Sequence, residues 1–349
     1  MAFVFCLLTF VMFMNTLQFS FIIPVYNRPD EVDELLSSFK TLQGNIPFEI
    51  VIIEDGSSID CKQIVAKYAT DLDISYFFKD NSGPGDSRNF GMRNAKGNYF
   101  IILDSDCLLT PQYLTTVNSY LSRQYVDCFG GPDAAHESFT NLQKAINFTM
   151  TSIITTGGIR GGKSSDAKFQ PRSFNMGISE KAFLESGGFG RIHPGEDPDL
   201  SIRLNDLGYE TVLIKDAFVY HKRRVSWKKF YQQVYKFGSV RPILNHWHPK
   251  TKRFTYWFPS LFFIGLIIAF FLFCLDFKLL LVFYGIYFLL AFILAFVSTK
   301  NFSVACQSIL AIFIQFFGYG YGFLKSTFFI SILKKQPEKQ FPKLFFKNA

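Results

Sequence analysis

The sequence predicts an α/β domain with a Rossmann-like, mostly parallel sheet and flanking helices, followed by C-terminal transmembrane helices. Short apolar segments alternate with amphipathic ones over residues 18–250, as the strands and crossover helices of βα units do. Residues 255–333 are nearly uncharged and rich in Phe, Leu and Ile, which is typical of helices embedded in a lipid bilayer. We therefore expect a globular domain and a membrane-embedded unit.

The first strand and helix are the most clearly marked elements of the globular domain. The segment Phe19–Val25 is apolar throughout, as a buried strand would be. Pro29 follows it closely and suits the first turn of a helix, where its missing N–H is not needed. The apolar side chains of that helix recur at helical spacing and lie on one side: Val32, Leu35, Leu36 and Phe39.

Three more strands and two more helices follow in the same alternation. The strands are predicted at Phe48–Ile53, at Ile74–Phe78 and over Asn98–Leu103, and the helices near Ile64–Tyr68 and Asp86–Asn94. Parallel pairing with crossover helices is the simplest arrangement for this order, and ligands collect at the carboxyl ends of the strands in such sheets.

Polar clusters follow three of these strands and should meet at one edge of the sheet. They are Pro24-Val-Tyr26-Asn27, Glu54-Asp55 and Asp104-Ser105-Asp106. Because strand side chains alternate between the two faces of a sheet, Asp104 and Asp106 point the same way and can share one divalent cation. The alternative interpretation is a strand that ends in a solvated Asp-Ser turn.

The membrane-embedded unit contains two clear spans and one ambiguous stretch. The spans run from about Tyr256 to Leu275 and from about Leu279 to Val297, each near the ~20 residues needed to cross a bilayer. The third stretch, Phe302–Leu333, is interrupted by Gly318–Gly322 and by Lys325. It is interpreted as a further span, a broken hairpin or a helix lying in the interface.

The basic residues predict the orientation of the chain. Ten of them precede the first span: Lys222, Arg223, Arg224, Lys228, Lys229, Lys236, Arg241, Lys250, Lys252 and Arg253. The positive-inside rule therefore places the globular domain in the cytoplasm, with the chain a multi-pass protein of the inner (plasma) membrane. The tail, residues 334–349, is also basic, which favours an even number of crossings with the third stretch re-entrant or split in two.

The same basic cluster accounts for the net charge of +8, from 36 Lys plus Arg against 28 Asp plus Glu. Attraction to anionic membrane lipids explains it better than nucleic-acid binding, since no RNA- or DNA-binding signature is present. The six cysteines are scattered without zinc-site spacing, which fits a reducing compartment.

The apolar N-terminal extension, residues 1–17, is too short to span a membrane by itself and lacks the basic start of a signal peptide. The hypothesis is that translation starts at Met14. The alternative is a short hydrophobic anchor.

The polar clusters, taken in order, resemble a known family. Pro24-Val-Tyr-Asn27, Glu54-Asp-Gly-Ser-Ser58, Arg88-Asn89 with Gly91 and Ala95-Lys-Gly97, and Leu103-Asp-Ser-Asp106 are similar to successive motifs of glycosyltransferase family 2. The later Asn175-Met-Gly177, Gly187-Gly-Phe189 and Gly195-Glu-Asp197 resemble its acceptor-side elements. The resemblance covers roughly residues 18–240 and is to membrane-anchored, bacterial-type members.

The resemblance implies a GT-A fold and an inverting, nucleotide-sugar-dependent transferase, with a UDP-sugar favoured as donor. Its implied donor-binding residues are Pro24, Tyr26, Asn27, Glu54, Asp55, Arg88 and Asp104. Asp55, with Glu54, would contact the base, although Glu54 stands where the family commonly has Asp. Arg88 would pair with phosphate, the alternative being an ordinary surface arginine.

A divalent cation, Mg²⁺ or Mn²⁺, is implied as the cofactor because a nucleotide diphosphate carries concentrated negative charge. Asp106 is the first expected ligand, and Asp104 either shares the ion or meets the ribose. His221 is expected to contact the metal or the diphosphate, or else to be structural.

Inverting transfer also needs a base that deprotonates the acceptor hydroxyl. The resemblance assigns this role to Asp197, with Glu196 orienting the acceptor or donor and Asp199 as an alternative base. These acids are equally the charges that favour the first turn of a helix.

A second motif, Gly157–Ser164, fits the P-loop pattern around Lys163, but a polar stretch ending at Pro171 follows it instead of a helix. Nucleoside triphosphate hydrolysis is therefore not expected. The predicted function is transfer of a sugar to a saccharide or lipid-linked acceptor, in cell-surface polysaccharide or glycolipid synthesis. The alternative is a non-catalytic or translocating membrane protein that keeps a nucleotide-sugar-binding fold.

Overall fold

The computed structural model describes residues 17–134, 139–156, 169–221 and 226–346. The hypothesis of a start at Met14 and the P-loop-like segment 157–164 lie outside these residues.

The elements of the globular domain follow the predicted alternation. The strands are β1 Phe19–Val25, β2 Phe48–Asp55, β3 Ile74–Lys79, β4 Tyr99–Leu103, β5 Cys107–Leu109, β6 Cys128–Gly130, β7 Asp133–Ala134, β8 Asn175–Ser179, β9 Thr211–Leu213 and β10 Val219–His221. The helices are α1 Pro29–Phe39, α2 Lys62–Tyr68, α3 Pro84–Asn94, α4 Tyr113–Arg123, α5 Asn141–Thr151, α6 Ile153–Thr156, α7 Glu180–Ser186, α8 Glu196–Asp206 and α9 Trp227–Trp247.

A seven-stranded sheet in the order β3-β2-β1-β4-β8-β6-β9 forms the centre of the domain. The first four strands in this order are parallel to one another, whereas β8 runs antiparallel to both of its neighbours, so the sheet is mostly parallel as predicted. The register pairs Val25 with Glu54 and Glu54 with Phe78, so the strand ends are level. The three predicted polar clusters therefore lie at one edge.

Helices cover both faces of this sheet, and alternate residues of β1 serve the two cores. Phe21 and Ile23 pack with α1, whose predicted apolar side is the buried one, whereas Ile22 packs on the opposite face. On that face α3 comes close to the sheet at Gly91, where a Cβ would lie 2.5 Å from Ile53 and 2.7 Å from Ile22. This close approach explains the glycine three residues after Arg88.

Three helices among the described residues are long and apolar enough to cross a membrane. They comprise residues Phe254–Cys274, Leu279–Thr299 and Phe302–Ile332, with hydropathies of 2.3, 2.7 and 1.6. The α-helical parts are α10 Phe258–Cys274, α11 Leu279–Thr299 and α12 Phe302–Ser326, and a π-helical turn, Thr327–Ile332, continues α12. The first two helices match the predicted spans.

The interpretations of the third stretch that include a break, as a broken hairpin or as a stretch split in two, are wrong, since α12 runs through Gly318–Gly322 without interruption. These glycines make room for neighbouring helices. A Cβ on Gly320 would lie 3.1 Å from the Pro259 carbonyl oxygen, and one on Gly322 would overlap the Tyr235 carbonyl oxygen. Small residues at such positions allow helix backbones to approach closely, so the pattern marks a packing surface and not a hinge.

Both ends of α12 lie against the globular domain. Near its start, the Ser308 carbonyl accepts a hydrogen bond from Thr149 of α5 at 3.4 Å, and Ala311 shares a buried cluster with Phe230 of α9. Near its end, Ile330 packs with Leu244 of α9. The helix therefore follows the surface of the domain over its whole length.

The chain then returns to the globular domain through the short helix α13, Pro337–Gln340, and a 3₁₀ turn, Pro342–Leu344. The Leu344 carbonyl accepts a hydrogen bond from the His193 amide at 2.7 Å, and the Phe346 amide donates to the Arg191 carbonyl at 3.1 Å. Residues 341–346 thus form a strap across the loop that precedes α8.

Candidate active site

The ends of β1 and β2 are tied together by Asn27. Its side-chain oxygen accepts hydrogen bonds from the Ser58 and Ile59 amides at 2.9 and 3.0 Å, and its own amide donates to the Ser57 hydroxyl at 2.7 Å. Asn27 adopts a left-handed backbone conformation, φ 54°, which asparagine tolerates better than most residues. The neighbouring Tyr26 is 53% exposed, so its ring faces the open edge of the sheet.

Glu54 and Asp55 are both buried, and both hold loops in place. Glu54 accepts hydrogen bonds from the Cys61 amide at 2.9 Å and the Tyr76 hydroxyl at 3.3 Å. Asp55 accepts from the Ser82 and Gly83 amides at 3.0 and 2.9 Å. Glu54 is fully buried, so in this structure it organises the end of β2 and does not face the edge.

Lys79 neutralises the buried Asp55 carboxylate. Its ammonium group lies 2.6 Å from Asp55 and 3.4 Å from Asp86, which is in the first turn of α3. Gly56 completes this corner, because its φ of +70° and a Cβ position 2.6 Å from the Asn81 amide exclude a side chain. The Asp-Gly pair therefore shapes the loop that leads to Pro84, where α3 begins.

The Asp104-Ser105-Asp106 triplet forms a turn, which corrects the basis of the shared-cation prediction. Strand β4 ends at Leu103, and the Cys107 amide donates to the Asp104 carbonyl at 3.1 Å. Because the residues are not in a strand, alternation does not place the two carboxylates side by side. Each carboxylate instead contacts a different partner.

The partner of Asp104 is Arg88, which also reaches the acceptor-side acids. The guanidinium lies 2.8 Å from Asp104 and 3.1 Å from Glu196. Arg88 is only 3% exposed and also lies over the Phe189 ring, so it is no ordinary surface arginine. A bridge of this kind joins two motifs that are far apart in the sequence, and no spacing pattern predicts it.

The partner of Asp106 is His221, at 3.1 Å between the carboxylate and Nε2. The His221 ring stacks on Phe174 with 4.7 Å between centroids, which fixes its orientation. Cys107 is the third member of the group, and the ligand atoms of the three residues all lie within 4.8 Å of one another. The sequence had indicated Asp106 and His221, but not Cys107.

The donor set fits a divalent cation that completes its coordination with substrate oxygens. Burial, followed by the nearby carboxylate of Asp106, raises the pKa of the Cys107 thiol well above its ordinary value, so this thiol binds a cation only if the cation displaces its proton. One carboxylate and one imidazole remain, which leaves positions open for phosphate oxygens. An imidazole ligand suits Mn²⁺ better than Mg²⁺, which prefers oxygen ligands.

Glu196 is fixed in its ionised form at the start of α8. Burial opposes its ionisation, but His193, with Nδ1 at 2.9 Å, and then Arg88 outweigh burial and lower the pKa of Glu196 to about 2. The preceding Gly195 has a φ of +122°, which favours glycine at this tight entry to the helix. Neither His193 nor its role had been indicated by the sequence.

The pKa of Asp197, the next residue, is shifted in the opposite direction. Burial raises this pKa, Arg172 at 3.7 Å lowers it, and the neighbouring Glu196 raises it again, so the pKa of Asp197 lies above its ordinary value. Its side chain is 16% exposed, which leaves it accessible at the site. A carboxylate with a raised pKa and access to solvent is suited to accept a proton.

Asp199, the alternative base, is occupied elsewhere. One of its carboxylate oxygens lies 2.8 Å from His248 and the other 2.9 Å from Arg203. The first contact connects α8 to His248, the residue that follows α9, and the second lies within α8. Each oxygen of Asp199 is already engaged and its side chain is 10% exposed, against 16% for Asp197, so Asp197 is the more accessible candidate base.

The C-terminal strap touches both halves of the site. The Phe346 ring lies 6.0 Å from the His193 ring, between centroids, and covers Gly83, where any Cβ would overlap it. The Gly83 amide donates a hydrogen bond to the Asp55 carboxylate, and the His193 ring contacts the Glu196 carboxylate. No sequence motif had indicated that the end of the chain reaches this site.

Comparison with protein families identifies one family whose model matches part of this chain. Residues 20–182 match the model of the family described as glycosyl transferase family 2. The matched segment contains β1 to β8 and therefore the Asn27, Asp55, Arg88 and Asp104–Asp106 contacts. The acids of α8 lie outside it.

Two curated relatives share parts of the chain. An uncharacterized glycosyltransferase of Rickettsia conorii is 44% identical over 95 residues, which are 27% of this chain and 16% of that protein. The GalNAc(5)-diNAcBac-PP-undecaprenol beta-1,3-glucosyltransferase of Campylobacter jejuni is 28% identical over 188 residues, or 53% of this chain and 59% of that protein. The chain thus spans less than two thirds of either relative.

A solved structure shares the fold. The mannosyltransferase PcManGT from Pyrobaculum calidifontis, in complex with GDP-Man and Mn²⁺, superposes with a TM-score of 0.50 and 16% sequence identity, covering 64% of this chain and 63% of that one. The likeness shows that the globular domain has the same overall fold, which is the fold that the sequence predicted.

Proposed function

We propose that the chain, whose residues 20–182 form a glycosyltransferase family 2 domain, transfers a sugar from a nucleotide-diphosphate donor to an acceptor hydroxyl with inversion. The observation that carries the proposal is the Arg88 bridge from Asp104 to Glu196. It joins the donor-side turn to the helix that carries Asp197, so the groups needed for donor binding and for proton removal belong to one site.

The donor site lies at the edge formed by β1, β2 and β4. Tyr26 and the loop that Asn27 and Asp55 organise would surround the nucleotide, and Asp104 would meet the ribose. The proposed base contact of Asp55 competes with its bonds to Ser82 and Gly83, so positioning of this loop is its primary role. A bound nucleotide sugar, GDP-Man, in the structurally similar mannosyltransferase supports this class of donor, and the family resemblance favours UDP.

Asp106 and His221 would hold a divalent cation at the diphosphate. The cation would neutralise the charge that develops on the leaving diphosphate. The carboxylate and imidazole face each other at 3.1 Å, and the Mn²⁺ in the similar mannosyltransferase supports a cation at this end of the sheet. The second contribution of the protein here is Arg88, whose charge keeps Asp104 in place.

Asp197 would accept the proton of the acceptor hydroxyl. As the acceptor oxygen forms its bond to the anomeric carbon, the bond from that carbon to the diphosphate oxygen breaks, and the hydroxyl proton passes to the Asp197 carboxylate. Attack on the face opposite the leaving group inverts the configuration. Glu196, fixed as an anion by His193 and Arg88, would orient the reacting groups.

The acceptor would be reached at a membrane surface. We assign two crossings, α10 and α11, and place the globular domain in the cytoplasm because the basic residues lie on its side. The Campylobacter jejuni relative is named for an acceptor that carries undecaprenol diphosphate, which supports a lipid-linked acceptor and a role in cell-surface glycan synthesis.

Asp197→Asn tests the assignment of the base. We expect transfer to fall by roughly 10²–10⁴-fold, the usual contribution of a general base, while donor binding is unchanged because Asp197 is not a donor ligand. The measurement is metal-dependent transfer from nucleotide sugars to a membrane acceptor fraction, with donor affinity determined in parallel. Asp206→Asn, on the exposed end of the same helix, is the matched control.

Transfer by Asp197→Asn at the rate of the control would refute this role. Donor binding without transfer in the unmodified chain, whatever the acceptor, would instead favour a non-catalytic or translocating protein that keeps the fold.

A further inference from the structure

Four buried polar side-chain atoms lie outside the site described above, where α9 meets the end of α12. They have no hydrogen-bond partner among the described residues and belong to three half-buried side chains and the buried Ser326: Arg241 Nη1, Asn245 Oδ1, Ser326 Oγ and Thr327 Oγ1. We call these residues the Arg241 cluster.

The register of the two helices brings the cluster together. α9 and α12 run side by side in the same direction, with Gly238 against Tyr319, Ser239 against Gly322 and Leu244 packed with Ile330. Ser326 and Thr327 fall between the last two of these contacts on α12, and Arg241 falls between them on α9. Asn245 lies one turn beyond Arg241 and therefore on the same face of α9.

An aromatic contact places the Arg241 guanidinium beside the residues that precede α10. Its guanidinium lies 4.5 Å from the centre of the Tyr256 ring. The next residue, Trp257, packs edge-on against Phe323 of α12 with 5.0 Å between ring centroids. Arg241 is therefore enclosed between α9, α12 and the start of the first predicted crossing.

This enclosure leaves a positive charge without an anionic partner. Among residues 17–134, 139–156, 169–221 and 226–346, no carboxylate forms an ion pair with Arg241. A cation–π contact compensates only part of the cost of removing a guanidinium from water. The hydroxyl groups of Ser326 and Thr327 are further unused hydrogen-bond donors, so an anionic ligand would accept from three of the four atoms, whereas the Asn245 oxygen is itself an acceptor.

The π-helical turn strengthens this interpretation. The α-helix ends at Ser326 and continues as a wider turn over Thr327–Ile332. Such turns are rare and occur frequently at functional sites. Here the change from α-helix to π-helix occurs at Ser326 and Thr327, the two hydroxyl residues of the cluster. The backbone geometry therefore sets how these two side chains face the junction of α9 and α12.

The cluster is also close to the catalytic helix. Val240, the residue before Arg241, packs against Gly195, where a Cβ would lie 2.5 Å from the Val240 side chain. Glu196 and Asp197 follow Gly195 directly. A ligand bound at the cluster would thus be situated between the proposed base and the start of α10.

We propose that the Arg241 cluster binds the diphosphate of an isoprenoid-linked acceptor at the membrane surface. The guanidinium and hydroxyl groups donate hydrogen bonds to phosphate oxygens, which are short and strong when both partners are charged. The isoprenoid chain lies along the apolar surface of α10 and α12, and the saccharide extends towards Asp197. This inference rests on the proposed transferase function and names its class of acceptor.

Direct binding of an isoprenoid diphosphate to the full chain in neutral detergent tests the proposal. The readout is tryptophan fluorescence, since Trp257 adjoins the cluster, and no sugar donor is added. We expect Arg241→Gln to weaken binding about tenfold or more, the effect of losing one charge-assisted hydrogen bond. Lys229→Gln, which removes the same charge from the exposed part of α9, should bind as the unmodified chain does.

Two further variants separate failure of this site from failure of the proposed chemistry. Ser326→Ala removes one hydroxyl group and should weaken binding of the isoprenoid diphosphate several-fold. Asp197→Asn should lower transfer strongly, as stated above, and leave that binding intact.

Equal binding by Arg241→Gln and Lys229→Gln, with both variants folded, would overturn the proposal. It would also be overturned if phosphatidylglycerol or inorganic diphosphate bound as tightly as the isoprenoid diphosphate, because the site would then recognise an ordinary headgroup or a free anion.

Discussion

Arg88 is the residue on which the two halves of the proposed site depend. Its guanidinium contacts Asp104 at the end of β4 and Glu196 at the start of α8. Because both partners are carboxylates and the arginine is almost completely buried, each acid is held in a single geometry. Removal of the guanidinium would leave the buried Glu196 with the His193 contact as its remaining side-chain hydrogen bond.

The neighbouring acids Glu196 and Asp197 in α8 have pKa values shifted in opposite directions. His193 and Arg88 lower the pKa of Glu196 to about 2, whereas burial raises the pKa of Asp197. Pairs of acids with pKa values moved in opposite directions are typical of sites that transfer protons. This contrast, and not the sequence motif alone, supports the division of roles.

The pH dependence of transfer should therefore show one acidic limb. Asp197 acts as a base only when deprotonated, so the rate falls as the pH decreases through its pKa. Since that pKa is raised, the limb should lie above the ordinary aspartate value of about 3.9. The measurement is kcat against pH at saturating donor, with Asp206→Asn as a control that keeps the limb.

Glu196 should add no second limb, because its pKa of about 2 keeps it ionised over the working range. A limb at or below the ordinary aspartate pKa would contradict the raised pKa of Asp197.

At the scale of elements, the packing of α12 on α9 is the feature that brings the apolar helices onto the globular domain. Gly318 and Gly322 face Val234 and Tyr235 of α9, and Gly320 faces Pro259 at the start of α10. Without side chains at these positions, α9, α10 and α12 approach one another closely, and Phe323 of α12 is buried beside Trp257. The Arg241 cluster depends on the same close approach.

Gly322→Ala should loosen this junction. Its Cβ would overlap the Tyr235 carbonyl oxygen, which is backbone and cannot rotate away, so α9 and α12 must separate. Overpacking of this kind costs typically about 1–3 kcal/mol. We expect lower thermal stability of the purified chain in detergent.

Gly285→Ala is the matched control, because Gly285 lies in α11 with nothing within 4 Å of its Cβ position. Equal stability of the two variants would show that the α9–α12 contact does not depend on the glycine.

At the scale of the whole molecule, the path of the chain bears on the proposed number of membrane crossings. A short turn at Asp276–Lys278 joins α10 to α11, whose Tyr287 donates a hydrogen bond to the Ile154 carbonyl of α6 at 3.0 Å, and both ends of α12 contact the domain. The strap then returns to Ile192 and His193. A third crossing would separate the tail from these contacts, which supports the proposal of two crossings.

Labelling with a membrane-impermeant thiol reagent checks this path. Cys274 is exposed at the end of α10, beside the Asp276–Lys278 turn, and Cys306 is exposed near the start of α12. In sealed vesicles each should react from one side only, and the sides should be opposite. A cysteine introduced by Lys339→Cys, in a chain without the other exposed cysteines, should react from the side of Cys306.

Reaction of the Lys339→Cys variant from the side of Cys274 would establish a third crossing and would contradict the observed position of the strap. The buried residues Cys61, Cys107 and Cys128 should stay unlabelled in the folded chain and serve as the control.

The linear order of residues determined the fold class, the first four parallel strands and the two clear membrane helices. These features depend on local periodicity: the apolar runs at Phe19–Val25 and Tyr99–Leu103 favour buried strands, and the helix from Pro29 has one apolar side. Motif order likewise indicated the family whose model residues 20–182 match, since each polar cluster follows a strand that ends at the same edge.

Tertiary structure alone decided which of these residues meet. The turn at Asp104–Asp106 gave each carboxylate a different partner, Arg88 or His221, and Arg88 contacts Glu196, which lies 108 positions later in the sequence. The packing of α12 on α9, the strap at Phe346 and the enclosed Arg241 have the same origin. Contacts between distant segments depend on how the chain packs in three dimensions, so the local spacing of residues in the sequence does not predict them.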